Sequence, residues 1–327
     1  MDNRIATQAA TAAGTPVIPA DPPFDLSGTR GRNVSERVIG GLLFLCGSLS
    51  ILTTIGIVLV LAVEAVQFFR LVSIWEFVSG TVWTALFHRD NRPGEFGVWP
   101  LVTGTLTVSI IAMVVAMPLG LMTAIYLSEY APERARAVLK PTLELLAGVP
   151  TIVYGFFALS FLTPAVVKLF FPGVGAFNAV AAGIAVGIMI LPLIASLSED
   201  AMRAVPRSLR EGAYALGATR LEVSTRIVVP AALSGIVASF ILAISRAAGE
   251  TMIVVLAAGS RPQFGFNVLD QAQTMTAYIV AVVGGDPAYG GIIYLSMFAV
   301  GVSLFLLTLV LNIASQSLVR RFREVYD

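Results

Sequence analysis

Two residues of opposite charge lie inside one long apolar segment of this sequence. Arg246 and Glu250 are the only charged residues in the run Val228–Ala258. A charge deep in a membrane-spanning helix costs at least ~2.5–3.5 kcal/mol, so each side chain needs a partner or a water-filled cavity. Their i, i+4 spacing places both on one face of a helix, where they can form an ion pair. Such a pair either fixes neighbouring helices together or holds a guanidinium ready to bind an anion through two hydrogen bonds.

Small and hydroxyl-bearing residues flank this pair. Ser245 and Gly249 form a small-xxx-small pattern, which is typical of helix packing. The hydroxyl of Thr251 has the chemistry to donate a hydrogen bond to an anion. The candidate substrate pathway therefore comprises Ser245, Arg246, Glu250 and Thr251, with helix packing as the alternative role of Ser245.

The composition is that of a membrane protein and not of a soluble enzyme. Hydrophobic residues make up 57% of the 327 residues and charged residues only 13%, whereas a soluble domain carries about 25%. The mean hydropathy is +0.85. The single cysteine, Cys46, and the single histidine, His88, exclude a disulfide framework, a cysteine metal cluster and a multi-histidine site. We therefore expect neither a metal site nor a catalytic centre in this chain.

Six apolar runs are candidates for membrane spans, since a span needs about 20 apolar residues to cross roughly 30 Å of hydrocarbon. They are Ile39–Val63, Leu101–Leu127, Leu145–Leu162, Ala179–Leu197, Val228–Ala258 and Ile292–Ala314. Two shorter candidates, Phe68–Phe87 and Thr276–Gly285, are expected to lie at the interface or to re-enter the bundle. Residues 1–35 lack any hydrophobic period and predict a disordered tail. The fold class predicted for residues 36–327 is an all-α membrane domain with six spans.

The distribution of lysine and arginine sets the orientation of these spans. With the N-terminus in the cytoplasm, 15 of the 21 basic residues lie in cytoplasmic segments and five lie outside, while Arg246 is inside a span. Basic residues are enriched in cytoplasmic loops. Both termini are therefore predicted to be cytoplasmic.

The cytoplasmic loop Ser198–Ile227 is polar but contains signals for two helices. Pro206 suits a first helical position, Gly217 suits the end of that helix, and Thr219 with Glu222 forms a capping box for the next helix. An apolar stripe at helical spacing is formed by Leu209, Ala213 and Leu216. The loop is either a docking surface for a soluble partner or only a structured connection.

The spacing of this loop resembles a known motif. Glu211-Gly212-Ala213, followed by Gly217 and then by Ile227 to Pro230, resembles the EAA loop of ABC importer permeases, which reads E-A-A, three residues, G, nine residues, I-x-L-P. Gly212 replaces an alanine, which weakens the helix by roughly 1 kcal/mol. Val229 replaces the leucine. The resemblance implies that the loop docks into a cleft of an ATPase subunit, through Glu211, Gly212, Ala213, Leu216 and Gly217.

Three further segments narrow the resemblance. Phe96–Thr105, Leu143–Gly155 and Ser245–Met252 are similar to phosphate-specific permeases of the PstC type, over about residue 35 to the C-terminus. The run R-A-x-G-E-T is shared with the sister PstA type. The resemblance implies a type I ABC importer fold, with an N-terminal helix and a five-helix core. It also implies translocation of inorganic phosphate by alternating access, with Arg246 receiving the anion.

The implied partners follow from the same resemblance. They are a second permease of the PstA type, two ATPase subunits that bind ATP and Mg, a periplasmic phosphate-binding protein and the lipid of the bacterial inner membrane, with no nucleic acid. The sequence has no Gly-Lys-Ser/Thr phosphate loop, so the energy source is expected to be bound by another chain.

Three alternatives remain open at this level. In the first, the chain is still an importer permease, but its cargo is another oxyanion, such as phosphite, molybdate or sulfate. In the second, the chain is an ion-coupled secondary transporter. In the third, it is a membrane scaffold for a phosphate-sensing kinase. Against a secondary transporter, the spans show no repeat of matched broken helices.

Overall fold

The computed structural model describes residues 30–87 and 94–322. These residues form helices, joined by turns and by one isolated bridge between Trp83 and Phe96. Residues 1–29 of the predicted tail lie outside the described residues. Residues 30–35 already belong to the first helix, which corrects the predicted boundary. His88 also lies outside the described ranges.

The helices are numbered here in chain order. They are α1 (Arg30–Leu71), α2 (Ile74–Ser79), α3 (Trp99–Tyr130), α4 (Glu133–Ala147), α5 (Thr151–Phe170), α6 (Ala179–Arg203), α7 (Arg207–Ala215), α8 (Arg220–Ala231), α9 (Leu233–Ala248), α10 (Met252–Ala257), α11 (Met275–Gly284) and α12 (Ile292–Phe322). Wider π-helical segments occur at Tyr126–Tyr130 in α3, Ala158–Val167 in α5 and Val223–Val228 in α8. A short 3-10 turn covers Ala85–Phe87.

Five of the described helices contain a stretch long and apolar enough to cross a membrane. The stretches are Glu36–Leu71 of α1, the whole of α3, α5 and α6, and Ile292–Ala314 of α12. A sixth crossing is available if α8 and α9 count as one span, although they are bent by 70° relative to each other. The predicted all-α membrane fold is thereby confirmed.

The predicted third span, Leu145–Leu162, is wrong in its position. The structure ends α4 at Ala147 and begins α5 at Thr151, with Pro150 as its N-cap residue. Proline lacks an amide hydrogen and disfavours a helical conformation of the residue before it, so one helix does not continue across residues 148–150. The apolar stretch runs instead to Phe170.

The predicted fifth span, Val228–Ala258, is likewise not one helix. It is divided among the end of α8, the whole of α9 and the whole of α10. The chain bends at Ala232, between α8 and α9, and leaves helical geometry again at residues 249–251. Residues 249–251 are called the break below, because they separate the two charged residues singled out in the sequence.

The chain divides into two units, residues 1–57 and 58–327. In the first unit, the described side chains of α1 are almost all exposed and most of them are apolar, as expected for a surface that contacts lipid. The second unit contains the hydrophobic core and every candidate site residue.

The centre of the second unit is the close contact between α3 and α6. A Cβ placed on Gly183 would lie 2.5 Å from the Cβ of Ile111, and one on Gly187 would lie 2.9 Å from the carbonyl oxygen of Ala112. Small residues at such positions let two membrane helices approach until their backbones touch. The two helices therefore form a closely packed pair, on which α9 and α10 also pack.

A second cluster is aromatic and joins the end of α1 to α11. Phe68 and Trp83 are buried, and the ring of Trp83 meets that of Tyr278 edge-on with centroids 4.9 Å apart. The stretch predicted to lie at the interface, Phe68–Phe87, thus packs into the protein as the end of α1, the short helix α2 and a turn. The other short candidate is α11, a helix of 10 residues.

Candidate functional site

Arg246 lies in the last turn of α9 and presents a guanidinium without a carboxylate partner. Its Nε contacts the sulfur of Met189 on α6 at 3.3 Å, and the residue is exposed in this chain. Among the described residues, no carboxylate oxygen lies within 4.0 Å of this guanidinium. Most of its hydrogen-bonding capacity therefore remains available for a ligand.

Glu250 does not pair with Arg246, so the predicted ion pair is wrong. The i, i+4 argument fails because α9 ends at Ala248, and Glu250 therefore lies in the break. Its Oε1 accepts hydrogen bonds from the backbone amides of Met252 at 3.1 Å and Ile253 at 3.4 Å. The carboxylate thus satisfies free amides at the start of α10, which is the role of a capping side chain.

The amino end of α11 holds the break in place from outside. The hydroxyl of Thr276 donates to the carbonyl oxygen of Glu250 at 2.7 Å and contacts the hydroxyl of Thr274 at 3.0 Å. The backbone amide of Met275, between these two threonines, donates to the hydroxyl of Thr105 on α3 at 3.0 Å. These contacts give the irregular backbone the partners that a membrane interior would not supply.

Thr276 was missed in the sequence, although one signal was available. Thr274 precedes an apolar run and caps α11 by accepting a hydrogen bond from the amide of Ala277. That local pattern predicts the start of a helix, but it does not reveal that the neighbouring hydroxyl reaches Glu250, 26 residues away in sequence.

The two remaining candidates have different surroundings. The hydroxyl of Ser245 donates to Oδ1 of Asn312 on α12 at 2.6 Å, a contact between two helices that fits the packing alternative. The hydroxyl of Thr251 donates to the carbonyl oxygen of Gly249 at 3.3 Å and stays within the break. The structure thus places Glu250 and Thr251 in the break, leaves Arg246 in the helical turn before it, and turns Ser245 toward α12.

The loop Ser198–Ile227 contains the two helical segments expected from its sequence. The capping box is present, because Thr219 accepts from the amide of Glu222 and the carboxylate of Glu222 accepts from the amide of Thr219. Gly217 has a φ of +84°, a left-handed conformation that favours glycine after a helix end. The predicted position of Pro206 is off by one residue, since it is the N-cap and α7 begins at Arg207.

The apolar stripe of α7 is divided between two surroundings. Leu209 and Ala213 pack against the buried hydrophobic cluster that includes Met202 and Val223, so they attach α7 to the rest of the unit. Leu216 is 91% exposed, which excludes it from that contact. Of the predicted docking residues, Glu211, Gly212, Leu216 and Gly217 are exposed, and Ala213 is partly covered by the protein itself.

Arg210 was not singled out in the sequence, yet it makes the densest set of contacts in α7. Its Nη1 donates to the carbonyl oxygen of Val205 and its Nη2 to that of Met202, both at 2.7 Å. Its Nη2 also lies 3.1 Å from Oε1 of Glu129, in the π-helical end of α3. One side chain therefore connects α7 to the ends of both α6 and α3.

A polar cavity of about 370 Å³ opens beside this contact. It is lined by Ser128, Glu129, Arg203, Arg207, Arg210, Glu211 and Tyr214. Both oxygens of Glu129 are engaged, because Arg210 approaches each of them and Ser128 donates to Oε1 at 2.7 Å.

Comparison with protein families gives one match over most of the chain. Residues 116–324 match the family described as binding-protein-dependent transport system inner membrane component. The end of α3 and all of α4 to α12, including the loop with α7, fall within the matched residues.

Several named relatives are similar over most of their length. A probable ABC transporter permease, YqgH of Bacillus subtilis, is 33% identical over 86% of this chain and 90% of its own length. The phosphate transport permease PstC of Mesorhizobium japonicum is 34% identical over 75% and 81%. The phosphate transport permease PstA 1 of Mycobacterium tuberculosis is 32% identical over 74% and 76%.

Solved structures of ABC transporters share the fold. A bacterial alginate ABC transporter, in complex with a periplasmic protein bound to an alginate pentasaccharide, superposes with a TM-score of 0.62 at 15% identity, over 90% of this chain and 99% of that one. The MetNI methionine transporter, in an inward-facing conformation, gives a TM-score of 0.51 at 18% identity, over 70% and 95%. At these identities the likeness concerns the fold, and it confirms the expected importer-permease architecture.

Proposed function

This chain belongs to the family of binding-protein-dependent transport system inner membrane components, and on that premise we propose that it is the permease subunit through which an ATP-driven importer translocates inorganic phosphate. The named relatives of the PstC and PstA types support phosphate as the cargo. The chain is then a transport component without a catalytic centre of its own.

The observation that carries the proposal is an unpaired guanidinium beside a broken helix. Irregular backbone at membrane depth is tolerated only where it is buried in protein or lines a water-filled cavity, and charged residues inside spans mark substrate or ion pathways. The carboxyl end of α9 has a partial negative charge, which by itself would repel an anion, and Arg246 in its last turn offsets that charge. A guanidinium then binds two phosphate oxygens in parallel. Alternating access would expose this group to one compartment at a time.

Glu250 is proposed to select phosphate over sulfate. Its Oε1 is engaged by backbone amides, whereas its Oε2 makes no hydrogen bond within the described part of the chain. A free carboxylate oxygen accepts a hydrogen bond from protonated phosphate. It repels sulfate, which carries no proton at neutral pH.

Replacing Glu250 with glutamine is expected to reduce the preference for phosphate over sulfate by about tenfold or more, since a hydrogen bond to a charged group contributes about 1.5–3 kcal/mol. Glutamine can still cap α10 through its carbonyl oxygen, so the break should survive. The measurement is ATP-dependent uptake of labelled phosphate with increasing sulfate as competitor. An unchanged preference in this variant would rule out Glu250 as the selecting group.

Replacing Thr276 with valine is expected to lower phosphate uptake about tenfold, because an unpaired buried carbonyl costs about 1–3 kcal/mol and the break loses its support. The matched control is Thr107→Val. Thr107 is also buried, but its hydroxyl donates at 2.7 Å to Thr103 of its own helix. Uptake that falls equally in both variants would show a general packing defect and not a role of the Glu250 contact.

The exposed residues of α7 are proposed to dock an ATPase subunit. The surface consists of Glu211, Gly212, Leu216 and Gly217, while Ala213 helps to hold α7 on the permease. Two such subunits would bind ATP and Mg, since this sequence has no Gly-Lys-Ser/Thr loop. The loop and both termini would then lie in the cytoplasm.

The remaining partners are proposed from the relatives and from the exposed surface. A second permease of the PstA type would complete the pathway beside Arg246, and a periplasmic phosphate-binding protein would deliver the anion. The assembly would reside in the bacterial inner membrane, with no nucleic acid partner.

The test of the function is uptake by the complete importer reconstituted in lipid vesicles. Phosphate should accumulate only when ATP is supplied on the side of the membrane that carries the ATPase subunits. Phosphite, molybdate or sulfate at equal concentration should not compete with this phosphate uptake. Displacement by one of these anions would reassign the cargo. Uptake that survives without ATP but stops when the proton gradient is dissipated would overturn the proposal in favour of a secondary transporter.

A further inference from the structure

A completely buried carboxylate lies near the end of α6 that leads to α7. Glu199 is 0% exposed, although its neighbour Asp200 is on the surface. Arg136 Nη2 lies 2.6 Å from Oε1 of Glu199, and Lys140 Nζ lies 2.8 Å from Oε2. Arg203 adds a longer contact of 3.8 Å, and Lys140 also reaches Asp200 at 2.7 Å. Glu199, Arg136, Lys140 and Arg203 are called the Glu199 cluster, and Asp200 lies at its exposed edge.

The cluster is the main attachment of α4 to the protein. No residue of α4 is buried, and its apolar side chains Val138 and Leu145 are 65% and 76% exposed. The residues that α4 turns toward α6 include both cations of the cluster. Since a buried carboxylate is strongly unfavourable without cations beside it, Glu199 holds Arg136 and Lys140 in place as much as they hold Glu199.

Lys140 is held as a cation by its two carboxylate neighbours. Hydrogen bonds to Asp200 and Glu199 raise the pKa of Lys140 above its ordinary value, despite its partial desolvation. The charge that Lys140 brings to the contact between α4 and α6 is therefore kept near neutral pH.

The position of the cluster links two functional elements. Glu199 lies about two helical turns before Arg207, where α7 begins. On the other side, α4 leads through residues 148–150 directly into α5, a membrane span. A displacement of α7 therefore has two routes into the membrane, one along α6 itself and one through the cluster and α4 to α5.

We propose that Glu199 is a positioning residue that joins α4 to α6, so that movement of α7 is transmitted to α5 through α4. The inference rests on the proposed role of α7 as the docking helix for the ATPase. Glu199 contacts neither the transported anion nor the ATPase surface, and it acts by holding Arg136 and Lys140.

The test compares Glu199→Gln with the matched control Asp200→Asn in the complete importer. Both variants remove one carboxylate charge next to Lys140, but only the first removes the buried one. The expected result is that Glu199→Gln lowers the ratio of phosphate transported to ATP hydrolysed by about fivefold or more, the lower end of a typical coupling between two sites. Asp200→Asn should keep the ratio of the unaltered importer.

A second measurement reports the α4–α6 contact directly. Spin labels are placed at Val138 on α4 and Leu197 on α6, both exposed, after Cys46 is replaced with serine. The distribution of distances between the labels should be narrow, with the same mean with and without ATP. This distribution should broaden in Glu199→Gln. A distance that changes with ATP in the otherwise unaltered importer would overturn the inference, as would an unchanged ratio in Glu199→Gln.

Should Glu199→Gln fail to assemble, Arg136→Gln takes its place, because Lys140 then still compensates Glu199. Its matched control is Arg134→Gln, an exposed position on the same helix. Failure of the proposed function would appear as a lack of ATP-dependent phosphate uptake before any substitution. Failure of this inference would appear as normal uptake whose coupling ratio and label distance are insensitive to Glu199 and Arg136.

Discussion

Replacing Arg246 with glutamine should abolish phosphate uptake and leave the importer assembled. The guanidinium has no carboxylate partner in the described structure, and its one polar contact is the sulfur of Met189, so little folding energy depends on its charge. Two charge-assisted hydrogen bonds to the anion would be lost, about 1.5–3 kcal/mol each, which corresponds to a loss of about a hundredfold or more.

The measurement is ATP-dependent uptake of labelled phosphate by purified importer in vesicles, with co-purification of the subunits as the test of assembly. Arg246→Lys should give intermediate uptake, since an ammonium keeps the charge but loses the planar fork. The matched control is Arg70→Gln, at an exposed position near the end of α1. Near-normal uptake by an assembled Arg246→Gln importer would remove this residue from the pathway.

Replacing Arg210 with glutamine should uncouple the permease from its ATPase. The side chain is 16% exposed and that of Glu129 is 6% exposed, so the pair is largely shielded from water. Removing one partner of a buried pair costs about 3–5 kcal/mol, and here the carbonyl oxygens of Met202 and Val205 also lose the hydrogen bonds that Arg210 donates. The result should be a misplaced α7 and a loss of most phosphate-stimulated ATP hydrolysis.

The matched control for this prediction is Arg207→Gln, because Arg207 belongs to the same helix but is exposed. Glu129→Gln should act in the same direction and more weakly, since the contacts of Arg210 with the carbonyl oxygens of Met202 and Val205 remain. Stimulated ATP hydrolysis and co-purification of the ATPase subunits are measured in parallel. If Arg210→Gln kept normal stimulation, α7 would not need this contact to transmit movement.

Features that depend on local sequence were predictable for this protein. The apolar length of a span is local, and so is the capping box, in which Thr219 and Glu222 are three residues apart. The left-handed conformation of Gly217 also follows from its place after a helix end. These features needed no knowledge of the rest of the chain.

The interruptions of the spans were not predictable in the same way. The break at residues 249–251 is supported by Thr276 of α11, and α11 is in turn placed by Thr105 of α3, 170 residues before Met275. An apolar run gives no sign of such distant partners. For that reason the sequence gave the wrong partner for Glu250, while the functional role of Arg246 stays a prediction.

The contacts of α7 show the same limit. The spacing of Glu211 and Gly217 pointed to a docking loop, but the side chain that positions it, Arg210, finds Glu129 across 81 residues. An arginine in a polar loop is usually solvated, and nothing in its immediate neighbours distinguishes this one.

The close approach of α3 and α6 at Gly183 and Gly187 has a consequence for how the permease changes shape. Because there is no room for even one added carbon atom at these two positions, one helix cannot slide past the other without backbone collision. The pair should therefore move as one rigid body during the transport cycle, so that a displacement of α7 carried along α6 moves α3 as well. Bending between helices is then expected at the interruptions of the chain, at Ala232 and at residues 249–251 next to Arg246.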